Sequence, residues 1–241
     1  MKQKINTRTM TAISMLCAIA FVLTWLTKQL PPIFPASPFL ELDGKDIVII
    51  IGGFLYGPIA VALMSVVNPL LEFVTFSSTG VIGLLMNIVS SCAFAFPVVF
   101  IYNKKRTITG AAVGLAVGCI TVTAVMVLWN YFLVPFYQDI PAEFSEDGKI
   151  VRWMTQKEVR QEIKGMLIPV FMPFNFIKSI LNAAFTMIIY RPVKAALIKS
   201  RLMPKPEAMV RRGKVNVGVL AASLFVIITC VLWILVLQGV I

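Results

Sequence analysis

Residues 47–58, IVIIIGGFLYGP, begin a charge-free run that extends to residue 71. A membrane-spanning helix needs roughly 20 mostly apolar residues, so the run is long enough for one. Gly57 and Pro58 interrupt it, because proline removes a backbone donor and glycine permits a tight turn. We therefore predict two short helices, 46–56 and 58–75, that enter the membrane and return. The alternative is a single span across 47–67 followed by a re-entrant piece.

Further charge-free runs lie on both sides of this segment. The chain is 59% hydrophobic and 14% charged, against about 45–50% and about 25% in soluble domains. This excess of apolar residues predicts an all-α polytopic membrane protein, with a six-helix domain over 1–200, a basic linker over 201–214 and an extra C-terminal transmembrane helix over 215–241. The runs that predict the other spans are 9–27, 73–103, 107–138, 165–190, which contains only Lys178, and 215–241.

The net charge of +11 is distributed in a way that argues against nucleic-acid binding. Basic residues gather at 2–8, at 104–106 and at 191–214, each next to an apolar run, whereas the only acid among these segments is Glu207. Short cytoplasmic loops are rich in Lys and Arg, so the pattern predicts a cytoplasmic N-terminus. Anionic lipid headgroups are the expected partners of the basic clusters.

Several kinds of chemistry are missing from the sequence. The chain has no histidine and no G-x-x-x-x-G-K-[S/T] phosphate loop, so it has neither the commonest general base nor a P-loop for ATP. The four cysteines form no CxxC pair, and we expect no metal site and no enzyme activity. Active transport would draw energy from a partner or from an ion gradient. In the second case Glu72 and Lys178 would be the coupling groups of a stand-alone carrier.

Polar residues inside the predicted spans mark a candidate cavity. Asn175, Lys178 and Asn182 are spaced three and four apart, so they share one face of a helix. Such side chains are costly in hydrocarbon and should face a cavity or one another. The alternative is that Lys178 snorkels to the interface and the asparagines hold helices together. For Asn68 and Glu72, one turn apart, we favour the structural role.

Two weaker patterns concern helix ends and packing. Thr155 and Glu158 have the spacing of a capping box, which predicts a short helix starting there. In the first span, small residues predict a face that another helix can approach closely. These candidate partner-docking residues are Ala12, Ser14, Ala18 and Ala20.

Several stretches together resemble the substrate-binding membrane subunits (S components) of energy-coupling factor (ECF) transporters, and among them the riboflavin-specific ones. The resemblance covers roughly residues 8–195. The stretches are Phe39-Leu-Glu-Leu-Asp43, Asp46-Ile47, Ile51-Gly-Gly-Phe-Leu-Tyr-Gly-Pro58, Gly83-Leu-Leu-Met-Asn87, Asn130-Tyr-Phe-Leu-Val-Pro135 and Pro173-Phe-Asn-Phe-Ile-Lys178.

The resemblance implies six helices with a short third one, in the plasma membrane of a bacterium. It implies high-affinity capture of riboflavin from outside, as a transported ligand and not as a cofactor, with another vitamin or flavin such as FMN or thiamine as the alternative. The first span would dock a transmembrane coupling subunit driven by two ATPase subunits. The implied ligand contacts are the polar residues Asn87, Asn130, Asn175 and Lys178, with an apolar slot from Leu40, Leu42 and Met86.

Overall fold

Helices make up most of the chain in the computed structural model, which describes residues 7–30, 42–76, 80–133, 141–144, 150–200 and 217–238. The helices are α1 Thr7–Thr27, α2 Lys45–Tyr56, α3 Pro58–Thr75, α4 Gly80–Lys104, α5 Ile108–Leu133, α6 Gln156–Met166, α7 Met172–Lys199 and α8 Val217–Leu237, and the strands are β1 Pro141–Phe144 and β2 Ile150–Trp153. A π-helical segment, Leu167–Phe171, joins α6 to α7.

Within the described residues, six helical segments are long and apolar enough to cross a membrane: α1, α3, α4, α5, the run from α6 to α7, and α8. The prediction of an all-α membrane protein with a seventh, C-terminal helix is therefore confirmed. The third helix, with 18 residues, is shorter than α4 and α5, which have 25 and 26. The second helix is shorter still, with 12 residues.

The break between α2 and α3 lies at Gly57. Its φ of 80° and ψ of −172° belong to backbone that glycine adopts without steric cost. Pro58 occupies the first turn of α3. Backbone N–H groups there have no partner within the helix, so the N–H that proline lacks costs no hydrogen bond. The two-helix prediction is confirmed, and the alternative of one span across 47–67 is wrong.

Helix α2 forms the centre of the bundle, because all twelve of its residues are buried. It packs against α1, α3, α4 and α7. Such close contact requires a small residue at Gly53, where a Cβ would overlap the methyl groups of Val61 in α3 and Val99 in α4. Most of the apolar core is formed by residues of α1 to α5 packed around this short helix.

The predicted helix start at Thr155 is confirmed. The Thr155 N–H donates to Glu158 Oε2 at 2.7 Å, and Thr155 Oγ1 accepts from the Glu158 N–H, which completes the capping box. Helix α6 then continues through the π-helical segment into α7, and Pro169 within that segment has no N–H to donate. The antiparallel pair β1–β2 before α6 was not predicted from the sequence.

The prediction that the four small residues of α1 share one face is wrong. Ala12 and Ala20 are completely buried against the bundle, whereas Ser14 and Ala18 are exposed. The two pairs therefore lie on different sides of α1, and only Ser14 and Ala18 are accessible to a partner.

Helix α8 lies at the periphery of the bundle. Only 11% of the most apolar 18-residue stretch of α8 is buried inside the bundle. The corresponding share is 33–44% in the other five candidate spans. Its contacts are with α7, where Cys230 joins an apolar cluster that includes Phe171, Phe174 and Ile177. The predicted linker 201–214 lies outside the described residues.

Candidate functional site

Six charged side chains meet at the end of the bundle where α1 ends and α2 begins. We call them the charge cluster: Lys28, Asp43, Lys45, Asp46, Glu72 and Lys178. They come from the end of α1, the start of α2, the end of α3 and the beginning of α7, and none is more than 16% exposed. Among the described residues the cluster holds three lysines and three acids, and this pairing reduces the cost of burying them, because an unpaired buried charge is costly.

Lys45 is at the centre of the charge cluster and is only 1% exposed. Its Nζ forms an ion pair with Asp43 Oδ2 and lies 3.4 Å from Glu72 Oε2. The other oxygen of Glu72 is 2.7 Å from Lys28 Nζ. Glu72 therefore ties the end of α1 and the start of α2 to α3, which confirms the structural role that we favoured for it.

Lys178 and Asn182, whose spacing predicted that they share one face of α7, both contact Asp43. Lys178 Nζ lies 3.9 Å from Asp43 Oδ2, and Asn182 Nδ2 donates to the Asp43 carbonyl oxygen at 3.0 Å. Lys178 Nζ also lies 6.0 Å from the centre of the Phe174 ring, within the range of a cation–π contact. The Lys178 side chain stays 15% exposed, so it is not completely buried.

Asn130 and Asn175 are both buried and share one hydrogen-bonding pattern. The Nδ2 of Asn130 donates to the Met126 carbonyl at 2.7 Å, and that of Asn175 donates to the Phe171 carbonyl at 2.8 Å. Neither Oδ1 atom accepts a hydrogen bond from any residue that the structure describes. Since α5 packs against α7 and the π-helical segment, two neighbouring elements supply these open acceptors.

The remaining predicted ligand residues have different surroundings. Asn87 Nδ2 donates to Glu72 Oε1 at 3.2 Å, so it contacts the charge cluster. Met86 is half-buried against the main core, and Leu42 is half-buried against the apolar cluster around Phe171. Leu40 lies outside the described residues.

The sequence analysis did not identify Asp43, Lys45 and Asp46 as members of a site. The signal available was the run of three charges within residues 43–46, directly before the charge-free run that starts at residue 47. Asp46 Oδ1 accepts from Ser91 Oγ at 2.6 Å, so α4 is tied to the same point. Trp129 was also missed, although its Nε1 is buried without a partner within the described part of the chain and it precedes Asn130.

Comparisons with known proteins agree with this geometry. The family model described as ECF transporter, substrate-specific component, matches residues 8–190. The Riboflavin transporter RibU of Staphylococcus aureus (strain TCH60) is 30% identical over 180 residues, which cover 74% of this chain and 86% of that protein. The Riboflavin transporter FmnP of Bacillus subtilis (strain 168) is 29% identical over 194 residues, covering 78% and 93%.

A solved structure described as the S component of a bacterial ECF transporter superposes with a TM-score of 0.60 and 28% sequence identity. The match covers 97% of that chain and 79% of this one. Helix α8 lies beyond the region 8–190 that the family model covers.

Proposed function

This chain belongs to the substrate-specific components of ECF transporters, multi-pass membrane proteins, and we propose that it captures riboflavin from outside the cell for ATP-driven uptake. Two relatives named as riboflavin transporters support the choice of ligand. We infer that residues 1–200 form the binding unit, and that riboflavin is the cargo and not a resident cofactor.

The observation that carries the proposal is the open Oδ1 atoms of Asn130 and Asn175 together with the ammonium group of Lys178. Riboflavin is uncharged near pH 7, and the edge of its ring alternates carbonyl groups with an N–H. An asparagine Oδ1 accepts from that N–H, while a lysine donates to a ring carbonyl or a ribityl hydroxyl. Leu42 and Met86 would contribute to the apolar slot that a flat ring requires.

We infer that the charge cluster faces the outside of the cell. Helix α1 begins, and α4 and α7 end, at the opposite end of the bundle. The basic residues 104–106 and 191–199 are at that end, as expected of short cytoplasmic loops. The N-terminus would therefore be cytoplasmic, and the ligand would enter from outside next to Asp43 and Lys178.

A titration of the purified protein with riboflavin tests the proposed function. Quenching of flavin fluorescence should saturate at one ligand per chain, with a dissociation constant of about 1 µM or lower, because several polar partners are held ready by buried helices. Thiamine, which is cationic, should not compete with riboflavin in the same titration. Absence of saturable quenching at micromolar riboflavin would reject riboflavin as the ligand.

We further propose that a transmembrane coupling subunit docks on the exposed Ser14–Ala18 face of α1 and that two ATPase subunits drive transport. A Ser14→Leu or Ala18→Leu substitution would place a bulky side chain where helices need close approach. Riboflavin binding should stay unchanged while co-purification of the coupling subunit and riboflavin uptake are lost. Unchanged assembly in both variants would place the docking face elsewhere.

The stand-alone carrier is the other transport class that the sequence leaves open. The ion pairs of Glu72 with Lys28 and Lys45 argue against a stand-alone carrier. A carboxylate that couples transport to an ion gradient must be able to exchange partners. Proteoliposomes that contain the purified chain alone should bind riboflavin without accumulating it. Accumulation driven by an imposed ion gradient would establish the carrier instead.

A further inference from the structure

We propose that Asp43 is a specificity-determining residue that makes the site select a neutral flavin over a phosphorylated one. The inference rests on the proposed function, since it concerns the ligand charge that the same site accepts. Asp43 itself was not among the predicted ligand contacts. Its role would be to set the electrostatic environment of Lys178, the cation nearest to it on α7.

The carboxylate of Asp43 is held in place from several directions. Oδ1 accepts from the Lys45 N–H at 3.1 Å and from Thr24 Oγ1 at 3.4 Å, and Oδ2 pairs with Lys45 Nζ. The backbone carbonyl of Asp43 accepts from Asn182 of α7 at 3.0 Å. Helices α1, α2 and α7 thus fix the position of the carboxylate, so it cannot easily turn away when a ligand arrives.

This fixed negative charge determines what Lys178 can bind. A lysine whose charge is not balanced is a common phosphate-binding group in proteins. Here the Asp43 carboxylate lies 3.9 Å from the ammonium, and the six described side chains of the charge cluster carry no net charge. Hydroxyl and carbonyl groups can still accept hydrogen bonds from Lys178 without meeting net repulsion.

A phosphorylated flavin would meet a different situation. A phosphate monoester carries about −1.5 to −2 charge at pH 7. For this selection the ribityl end of the flavin must lie at Lys178, and a phosphate there would also lie beside the Asp43 carboxylate, which is only 5% exposed and is therefore poorly screened by salt. Repulsion between the two anions would offset the attraction to Lys178, so riboflavin should bind more tightly than FMN.

The experiment compares the dissociation constants of riboflavin and FMN for the wild-type protein and for Asp43→Asn. The amide keeps an oxygen acceptor and nearly the same shape, but it removes the negative charge. The ratio of the FMN constant to the riboflavin constant should fall roughly tenfold, as Coulomb's law gives for a dianion several ångströms from one charge in a partly hydrated site.

Asp46→Asn is the matched control. It removes the same charge three residues further along the chain, where the carboxylate accepts a hydrogen bond from Ser91 of α4. The ratio in that variant should change less than about threefold, because the described ion pair of Lys178 is with Asp43 and not with Asp46. An equal fall in the ratio for both variants would show that only net charge matters, and the inference about Asp43 would be overturned.

The possible failures can be told apart. If the wild-type protein does not bind riboflavin, the proposed function is wrong. If it binds riboflavin and the ratio in Asp43→Asn equals that of the wild type, only this inference is wrong. Should Asp43→Asn not fold, Lys178→Gln supplies the test, because it leaves Asp43 unopposed by its α7 partner and should raise the ratio roughly tenfold. An unchanged ratio there would also overturn the inference.

Discussion

Replacing Lys45 by methionine tests whether the charge cluster holds the bundle together at the site. Methionine keeps the length and apolar stem of the side chain and removes its charge. Lys45 is 1% exposed and pairs with the carboxylates of Asp43 and Glu72. Without it, the described part of the cluster would hold three buried acids against two lysines.

The expected loss of stability follows from this burial. Removing one partner of a buried ion pair typically costs about 3–5 kcal/mol, because the other partner stays buried and uncompensated. For a chain of this length, each kcal/mol lowers the unfolding midpoint by roughly 2–4 °C. The Lys45→Met variant should therefore unfold roughly 6–20 °C below the wild-type protein.

Thermal unfolding in detergent, followed by tryptophan fluorescence, measures this shift. Lys164→Met is the matched control, because Lys164 is exposed on α6, and its midpoint should change little. The double variant Lys45→Met/Glu72→Gln restores the charge balance and should recover part of the loss, with a coupling of about 1–3 kcal/mol. A midpoint within 2 °C of wild type for Lys45→Met, or a double variant as unstable as the sum of the singles, would refute the reasoning.

Two further changes test the ligand contacts and the packing of α2. Asn175→Ala and Lys178→Ala should each weaken riboflavin binding by about 1–3 kcal/mol, or roughly fivefold to 150-fold in the dissociation constant, and unchanged binding in both would place the site elsewhere. Gly53→Ala should lower the unfolding midpoint through overpacking against α3 and α4, at a cost of about 1–3 kcal/mol. Gly165→Ala, where an added Cβ meets no atom within 4 Å, should be neutral in the same assay, and equal effects of the two glycine variants would contradict the packing argument.

The parts of the fold that depend on local chemistry could be predicted from the sequence. The Gly57-Pro58 break defined α2 and α3, the Thr155–Glu158 spacing defined the start of α6, and charge-free runs defined the spans. The polar face of α7 also follows from spacing alone, because residues three and four apart must share a side of a helix.

The charge cluster could not be predicted in the same way. Asp43 and Lys178 are 135 positions apart in the sequence, and no local pattern indicates which charges pair at such a distance. The sequence does show that these charges must be paired if they are buried, but their partners depend on how α2 packs against α3 and α7. The pairing of β1 with β2 likewise escaped prediction.

The small residues of α1 illustrate the same limit. Spacing put Ala12, Ser14, Ala18 and Ala20 together as one candidate face. Which of them stay accessible depends on the side from which the rest of the bundle packs against α1, and the bundle covers Ala12 and Ala20. A docking face is therefore a property of the packed bundle and not of one helix alone.

Native mass spectrometry tests the central claim most directly. The protein would be purified in mild detergent from cells grown with riboflavin, and the mass of the intact complex would be measured. The wild-type chain should carry one riboflavin per molecule, and the Asn175→Ala/Lys178→Ala double variant should be recovered folded but empty. A wild-type chain that carries no flavin, or a double variant that retains it at full occupancy, would contradict the account.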